Sequence, residues 1–239
     1  MITQRERGVL VVDSRKTKKK SNTLLRILSA LVIGPVFIIA IMFFTPLFYL
    51  LVILIAIGML SEWYQMTKLS IGYVLFGFII LLIPIISLII LAANEQNRWL
   101  LLSYFTIIWS VDSFAMIGGK KFKGPKLAAK ISPNKTWSGL IIGVLAAGLS
   151  VFFLSLLPGF NLSGYYFLNE HHLIIASILL ALIAQMSDLF VSYFKRKFAI
   201  KDSGSIIPGH GGVLDRFDSI ILTAPLLLLS RYYELFIFN

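Results

Sequence analysis

Apolar residues in this chain run in long blocks, separated by short polar segments, with neither the alternation of strands nor the narrow stripe of a soluble amphipathic helix. A helix that crosses a bilayer needs about 20 mostly apolar residues. Blocks of that kind lie near 25–43, 45–63, 71–93, 98–117, 138–157, 173–193 and 217–237. They predict an all-α fold, a polytopic integral membrane helical bundle of about seven transmembrane helices. The first two blocks meet at Phe44-Thr45-Pro46, where Pro46 suits the first turn of a helix. A polar tail over residues 1–23 precedes a single membrane-embedded domain spanning 24–239.

Composition agrees with that pattern. The 239 residues are 58% hydrophobic and 14% charged, against about 45–50% apolar and about 25% charged in soluble domains. With no cysteine, disulfides, thiolate metal sites and cysteine nucleophiles are excluded. With only His171, His172 and His210, a histidine-rich zinc centre is disfavoured, and a metal would be held by carboxylates, as Mg²⁺-like ions are.

The distribution of the net charge of +11 orients the chain. Placing the amino terminus in the cytoplasm puts 20 of the 22 Lys/Arg on the cytoplasmic side and leaves only Arg98 and Arg231 elsewhere. The tail, with Lys16 and Lys18 to Lys20, reads as a basic segment lying on anionic lipid; nucleic acid is not an expected partner. Two basic loops face the cytoplasm, roughly 118–137 and 194–216, whereas the outer loop at 158–172 holds no Lys or Arg. No internal repeat suggests a transporter built from two halves.

Chemistry concentrates between Ser192 and Ser219, where cations, carboxylates and glycines interleave beside an apolar span. Gln185, Asp188, Ser192 and Lys195 are spaced to share one face of the sixth helix, a polar stripe suited to a cavity wall. Asp215 and Asp218, three apart, meet on one face as the last helix begins. A helix cap explains one of these carboxylates, but two facing Asp188 fit a divalent cation better. Between them lie Lys195, Arg196, Lys201, Asp202, the turn Pro208-Gly209-His210-Gly211-Gly212, and Arg216. Lysine and arginine supply charge and hydrogen bonds to phosphate oxygens, and glycines let the backbone approach them. In the other loop, Ser132-Pro133-Asn134 reads as a turn that starts the fifth helix, with Lys135 and Thr136 placed to contact phosphate or simply to cap it. Asp112 raises the same burial question as Asp188, and Glu62-Trp63-Tyr64 reads as an interfacial aromatic belt.

The run S-x-x-K-R-x-x-x-x-K-D-S-G-x-x-x-P-G-H-G-G-x-x-D-R-x-D from Ser192 to Asp218 resembles the pattern of the CDP-diacylglycerol synthases (phosphatidate cytidylyltransferases). The resemblance extends to Gln185-Met186-Ser187-Asp188 and to ISPNKTW at 131–137, about the last 140 residues in all. Departures are Ser187 where the family has Gly, Ser138 where it has Glu, and Met116 where an aromatic is common.

The resemblance implies transfer of a cytidylyl group from CTP to phosphatidate in phospholipid biosynthesis. It implies Mg²⁺ held by Asp188, Asp215 and Asp218, with room for a second cation, and phosphates bound by Lys195, Arg196, Lys201 and Arg216. The Gly209–Gly212 turn would shape the loop, and Asp202 would orient a cation. The expected location is a bacterial inner membrane, with the site at its cytoplasmic face; a homo-oligomer stays open. The competing readings are a CTP-dependent lipid or polyprenol kinase and, further off, an anion transporter with its substrate site near the bilayer midplane.

Overall fold

The computed structural model describes residues 32–160, 170–204 and 211–238. The basic tail, the turn residues Gly209 and His210, and most of the outer loop fall outside them.

The chain forms helices α1 (Val32–Phe43), α2 (Thr45–Thr67), α3 (Ile71–Ala92), α4 (Arg98–Phe122), α5 (Trp137–Ser155), α6 (Glu170–Lys197), the short α7 (Leu214–Phe217) and α8 (Ile220–Phe238). Five of them are long and apolar enough to cross a membrane, and Val32–Phe43 and Ile220–Tyr233 are shorter apolar helices. The protein is therefore an all-α membrane bundle whose described helices overlap the hydrophobic blocks, residues 25–31 of the first block lying outside the described residues. Large apolar side chains such as Leu54, Ile79, Leu145, Phe153 and Leu179 point outward, as they do on a surface solvated by lipid.

Element ends carry local explanations. Pro46 stands in the first turn of α2, where a missing N–H costs nothing. Thr136 caps α5, its Oγ1 accepting the Gly139 N–H at 3.1 Å. Helix α4 continues past its expected end at 117 to Phe122, because Gly118 and Gly119 serve packing there and do not break the helix. An added Cβ at Gly139 would lie 2.6 Å from the Ala115 carbonyl oxygen, and one at Gly143 would lie 2.8 Å from that of Val111. Helices α4 and α5 therefore touch backbone to backbone, as small residues permit in bilayers.

Two expectations need correction. Residues 131–136 form no simple turn: Ser132–Thr136 is strand β2, paired antiparallel with β1 (Lys126–Ala128), with Lys126 opposite Thr136. This hairpin joins α4 to α5 and hangs at one end of the bundle. The Glu62-Trp63-Tyr64 segment is also no interfacial belt, since α2 runs on to Thr67 and both Glu62 and Trp63 are buried. The Trp63 indole N–H donates to the Tyr73 carbonyl at 2.8 Å, and its ring packs 5.3 Å from Phe194. Those contacts pin the end of α2 to the start of α3 and the end of α6.

The close α4–α5 contact makes a direct prediction. Gly143→Val should destabilise the fold by about 1–3 kcal/mol through overpacking, lowering the thermal midpoint in detergent. Gly72→Ala, where an added Cβ meets nothing within 4 Å, should leave that midpoint unchanged.

Candidate active site

One end of the bundle collects the ends of α2, α4 and α6, the starts of α5 and α8, the β-hairpin and α7. Asp112 and Asp188 lie ten and nine residues short of the ends of α4 and α6, roughly 15 Å along each axis at 1.5 Å per residue. The site is thus recessed into the bundle, where a charge needs a partner.

Each charge on the expected stripe of α6 finds its partner on a different element. Asp188 Oδ2 pairs with Lys135 Nζ of the hairpin at 2.6 Å, and its Oδ1 accepts from Ser192 Oγ at 3.2 Å. One turn further on, Lys195 Nζ meets Asp215 Oδ1 of α7 at 2.7 Å. Gln185 Nε2 donates to Asp112 Oδ1 of α4 at 3.1 Å, and Ser219 Oγ donates to Asp112 Oδ2 at 3.3 Å. The stripe is real, but it reads outward to α4, the hairpin and α7 in turn.

Asp215 is held on both oxygens. Its Oδ2 accepts the backbone N–H of Ser203 at 3.0 Å and that of Gly212 at 3.3 Å, while Oδ1 takes Lys195. Asp218 is buried between α7 and α8, within electrostatic reach of Asp188, Asp112, Lys195 and Lys135. The last span begins only at Ile220, so Asp215 and Asp218 belong to a short turn that precedes it. Ser187, where the resemblance leads one to expect glycine, donates to the Asp218 carbonyl oxygen and accepts the Leu222 N–H at 3.2 Å, stitching α6 to α8.

Other predicted residues are placed differently. Arg196 spends two donors on backbone, Nε on Ile131 O at 3.0 Å and Nη1 on Ile200 O at 2.9 Å, and so ties the two polar loops together. Lys201, Asp202 and Arg216 are exposed around the mouth, while Ser132 is half-buried in β2. Gly211 has a φ of 86°, a region that favours glycine. Gly212 is needed for space, because an added Cβ would lie 2.4 Å from Glu62 Oε2.

Glu62 is the residue that the sequence reading missed. Its carboxylate accepts from Ser203 Oγ at 2.6 Å, Val213 N–H at 2.8 Å and Leu214 N–H at 2.9 Å. The available signal was its isolation, as it is the one carboxylate between Asp13 and Glu95.

Among the described residues, no three acidic or histidine side chains stand together as a ready-made metal group. The donor chemistry still fits a hard divalent ion. Asp112, Asp188, Asp215 and Asp218 face Lys135 and Lys195, a formal surplus of two negative charges carried on oxygen ligands.

Comparison with known proteins identifies a family for the chain. Residues 67–234 match the model of the cytidylyltransferase family. A phosphatidate cytidylyltransferase of Rickettsia conorii is 61% identical over 233 residues, covering 98% of this chain and 100% of that protein. One from Rickettsia felis is 63% identical over 227 residues, covering 95% of this chain and 97% of its own length. A namesake from Brucella abortus is 41% identical over 148 residues, 60% of this chain and 51% of that protein. With the family model matched over well more than half of its length and relatives this similar along nearly all of it, the chain belongs to the cytidylyltransferase family.

Proposed function

We propose that this chain is a membrane-embedded nucleotidyltransferase that moves the cytidylyl group of CTP onto phosphatidate, giving CDP-diacylglycerol and pyrophosphate. The observation that carries the reading is the pairing of Lys135 with Asp188 and of Lys195 with Asp215, both lysines within electrostatic reach of buried Asp218. Such a site holds cations ready for phosphate oxygens without leaving them unpaired beforehand. The whole-length relatives named phosphatidate cytidylyltransferase support CTP and phosphatidate as the substrates.

In the reaction, an oxygen of the phosphatidate phosphate attacks the α-phosphorus of CTP. A new P–O–P bridge forms, the bond from the α-phosphorus to the bridging oxygen breaks, and that oxygen leaves on pyrophosphate. The nucleophile is already anionic, so the chain needs no strong base. Its work is positioning and charge neutralisation. Lys135 and Lys195 exchange carboxylate for phosphate oxygens, while exposed Lys201 and Arg216 draw the anion to the mouth. Asp188 and Asp218 would hold Mg²⁺, with Asp215 joining them if it exchanged its contact with Lys195 for the ion. When bound, the ion supplies neutralising charge to the nucleotide phosphates. The site faces the cytoplasm of a bacterial plasma membrane, with lipid arriving from the inner leaflet.

Purified chain given phosphatidate, Mg²⁺ and CTP labelled at the α-phosphate should place the label in lipid. With γ-label the counts should stay water-soluble; γ-label in lipid would establish the kinase reading instead. Asp215→Asn should abolish turnover while leaving a folded, membrane-inserted protein, and normal activity in that variant would remove Asp215 from the site. The chain lacks cysteine, which makes orientation directly testable. A single cysteine at Lys126 should react with an impermeant maleimide only from the cytoplasmic side.

A further inference from the structure

We propose that Glu62 is a positioning residue for Asp215, holding Ser203 and the Val213–Leu214 backbone from a position on α2 that precedes the family's matched region. Glu62 belongs to α2, whereas the matched region starts at residue 67. Its side chain reaches backbone and side chain 141 to 152 positions away in sequence. Both carboxylate oxygens are used, and the residue is 1% exposed. Among the described residues no cation is paired with it, so backbone N–H groups and one hydroxyl satisfy it.

The route from Glu62 to the reacting centre is short. Ser203 donates its hydroxyl to Glu62 and its backbone N–H to Asp215 Oδ2. Gly212 gives its N–H to that same oxygen, and the next two residues, Val213 and Leu214, give theirs to Glu62. One carboxylate therefore holds the residue that carries one donor to the other carboxylate and the two residues that follow the second donor. Asp215, so held, presents Oδ1 to Lys195.

The glycines of the loop fit the same account. An added Cβ at Gly204 would lie 2.5 Å from Glu62 Oε1, and one at Gly212 would lie 2.4 Å from Oε2 and 2.1 Å from Ser203 Oγ. The backbone closes on the carboxylate from two directions, so these two glycines give access to Glu62. The glycine requirement at 204 and 212 thus follows from a residue on α2.

The proposal rests on the cytidylyl-transfer reading for its activity arm, and hydrogen–deuterium exchange on the full chain supplies an arm independent of it. Glu62→Gln keeps the side-chain volume but turns one acceptor into a donor facing N–H groups. It should accelerate amide exchange at Ser203 and Gly212 to Leu214, leaving α4 and α5 as slow as in the wild type. In the same variant kcat should fall about 10- to 100-fold and KM for CTP should rise, while KM for phosphatidate holds. A mere loss of folded enzyme would move neither KM.

Ser203→Ala removes one donor to Glu62 and keeps the N–H used by Asp215. It should show the same pattern at smaller amplitude, and it decides the matter if Glu62→Gln does not fold. Unchanged loop exchange, or faster exchange with unaltered kinetics, overturns the proposal. A wild-type chain inert toward CTP and phosphatidate would overturn the functional reading instead, and loop exchange alone would then decide the clamp.

Discussion

A charge sunk below the ends of membrane helices must be neutralised where it stands, and the architecture at this end of the bundle follows from that demand. Lys135 and Lys195 enter from a hairpin and a helix end to meet Asp188 and Asp215, and each pair joins two elements that are distant in sequence. Removing one partner of such a pair strands the other in a poorly solvated place. The hairpin, α6 and α7 are thereby locked to one another by the same groups that would do the chemistry. Glu62 meets the demand differently, drawing on a hydroxyl and two backbone N–H groups, and so holds the residues next to Asp215's own donors.

This dual use connects stability to function. A cation paired with a carboxylate is already desolvated and aimed, and exchanging that carboxylate for a phosphate oxygen needs little reorganisation. Asp188 lies nine residues short of the end of α6, roughly 14 Å along the axis, which puts its pair with Lys135 where an amphiphilic acceptor can lie alongside with its tails in lipid. An aqueous nucleotide would approach through the exposed Lys201 and Arg216 at the mouth.

Most of the fold was legible because bilayer thickness imposes a length on apolar blocks that no soluble core does. The carboxylates and lysines were legible because spacing on α6 put them on one face, and because charge beside an apolar span has few bland explanations. Their partners were not. Asp188 and Lys195, seven residues apart, share a face of α6, yet each is paired with a residue from another element. The 131–136 segment read as a turn because Ser-Pro-Asn is turn chemistry, whereas its pairing with Lys126–Ala128 is a contact across a loop that local propensity does not encode. Glu62 was hidden by its neighbours: beside Trp63 and Tyr64 it looked interfacial, and only the long-range fold brings the loop backbone down onto it. The motif glycines invited a phosphate-binding reading for the same reason, since sequence shows that a backbone comes close to something but not to what.

In the proposed mechanism the two lysine–carboxylate pairs form the walls of one nucleotide site. Equilibrium binding of CTP to the purified chain, with Lys135→Ala and Lys195→Ala compared against the wild type, tests it most directly. Each substitution alone should weaken CTP binding at least about tenfold, the scale of losing a desolvated charge contact, and both variants should stay folded. Undiminished CTP affinity in either folded variant would contradict it, because that pair would then be a structural clasp outside the site.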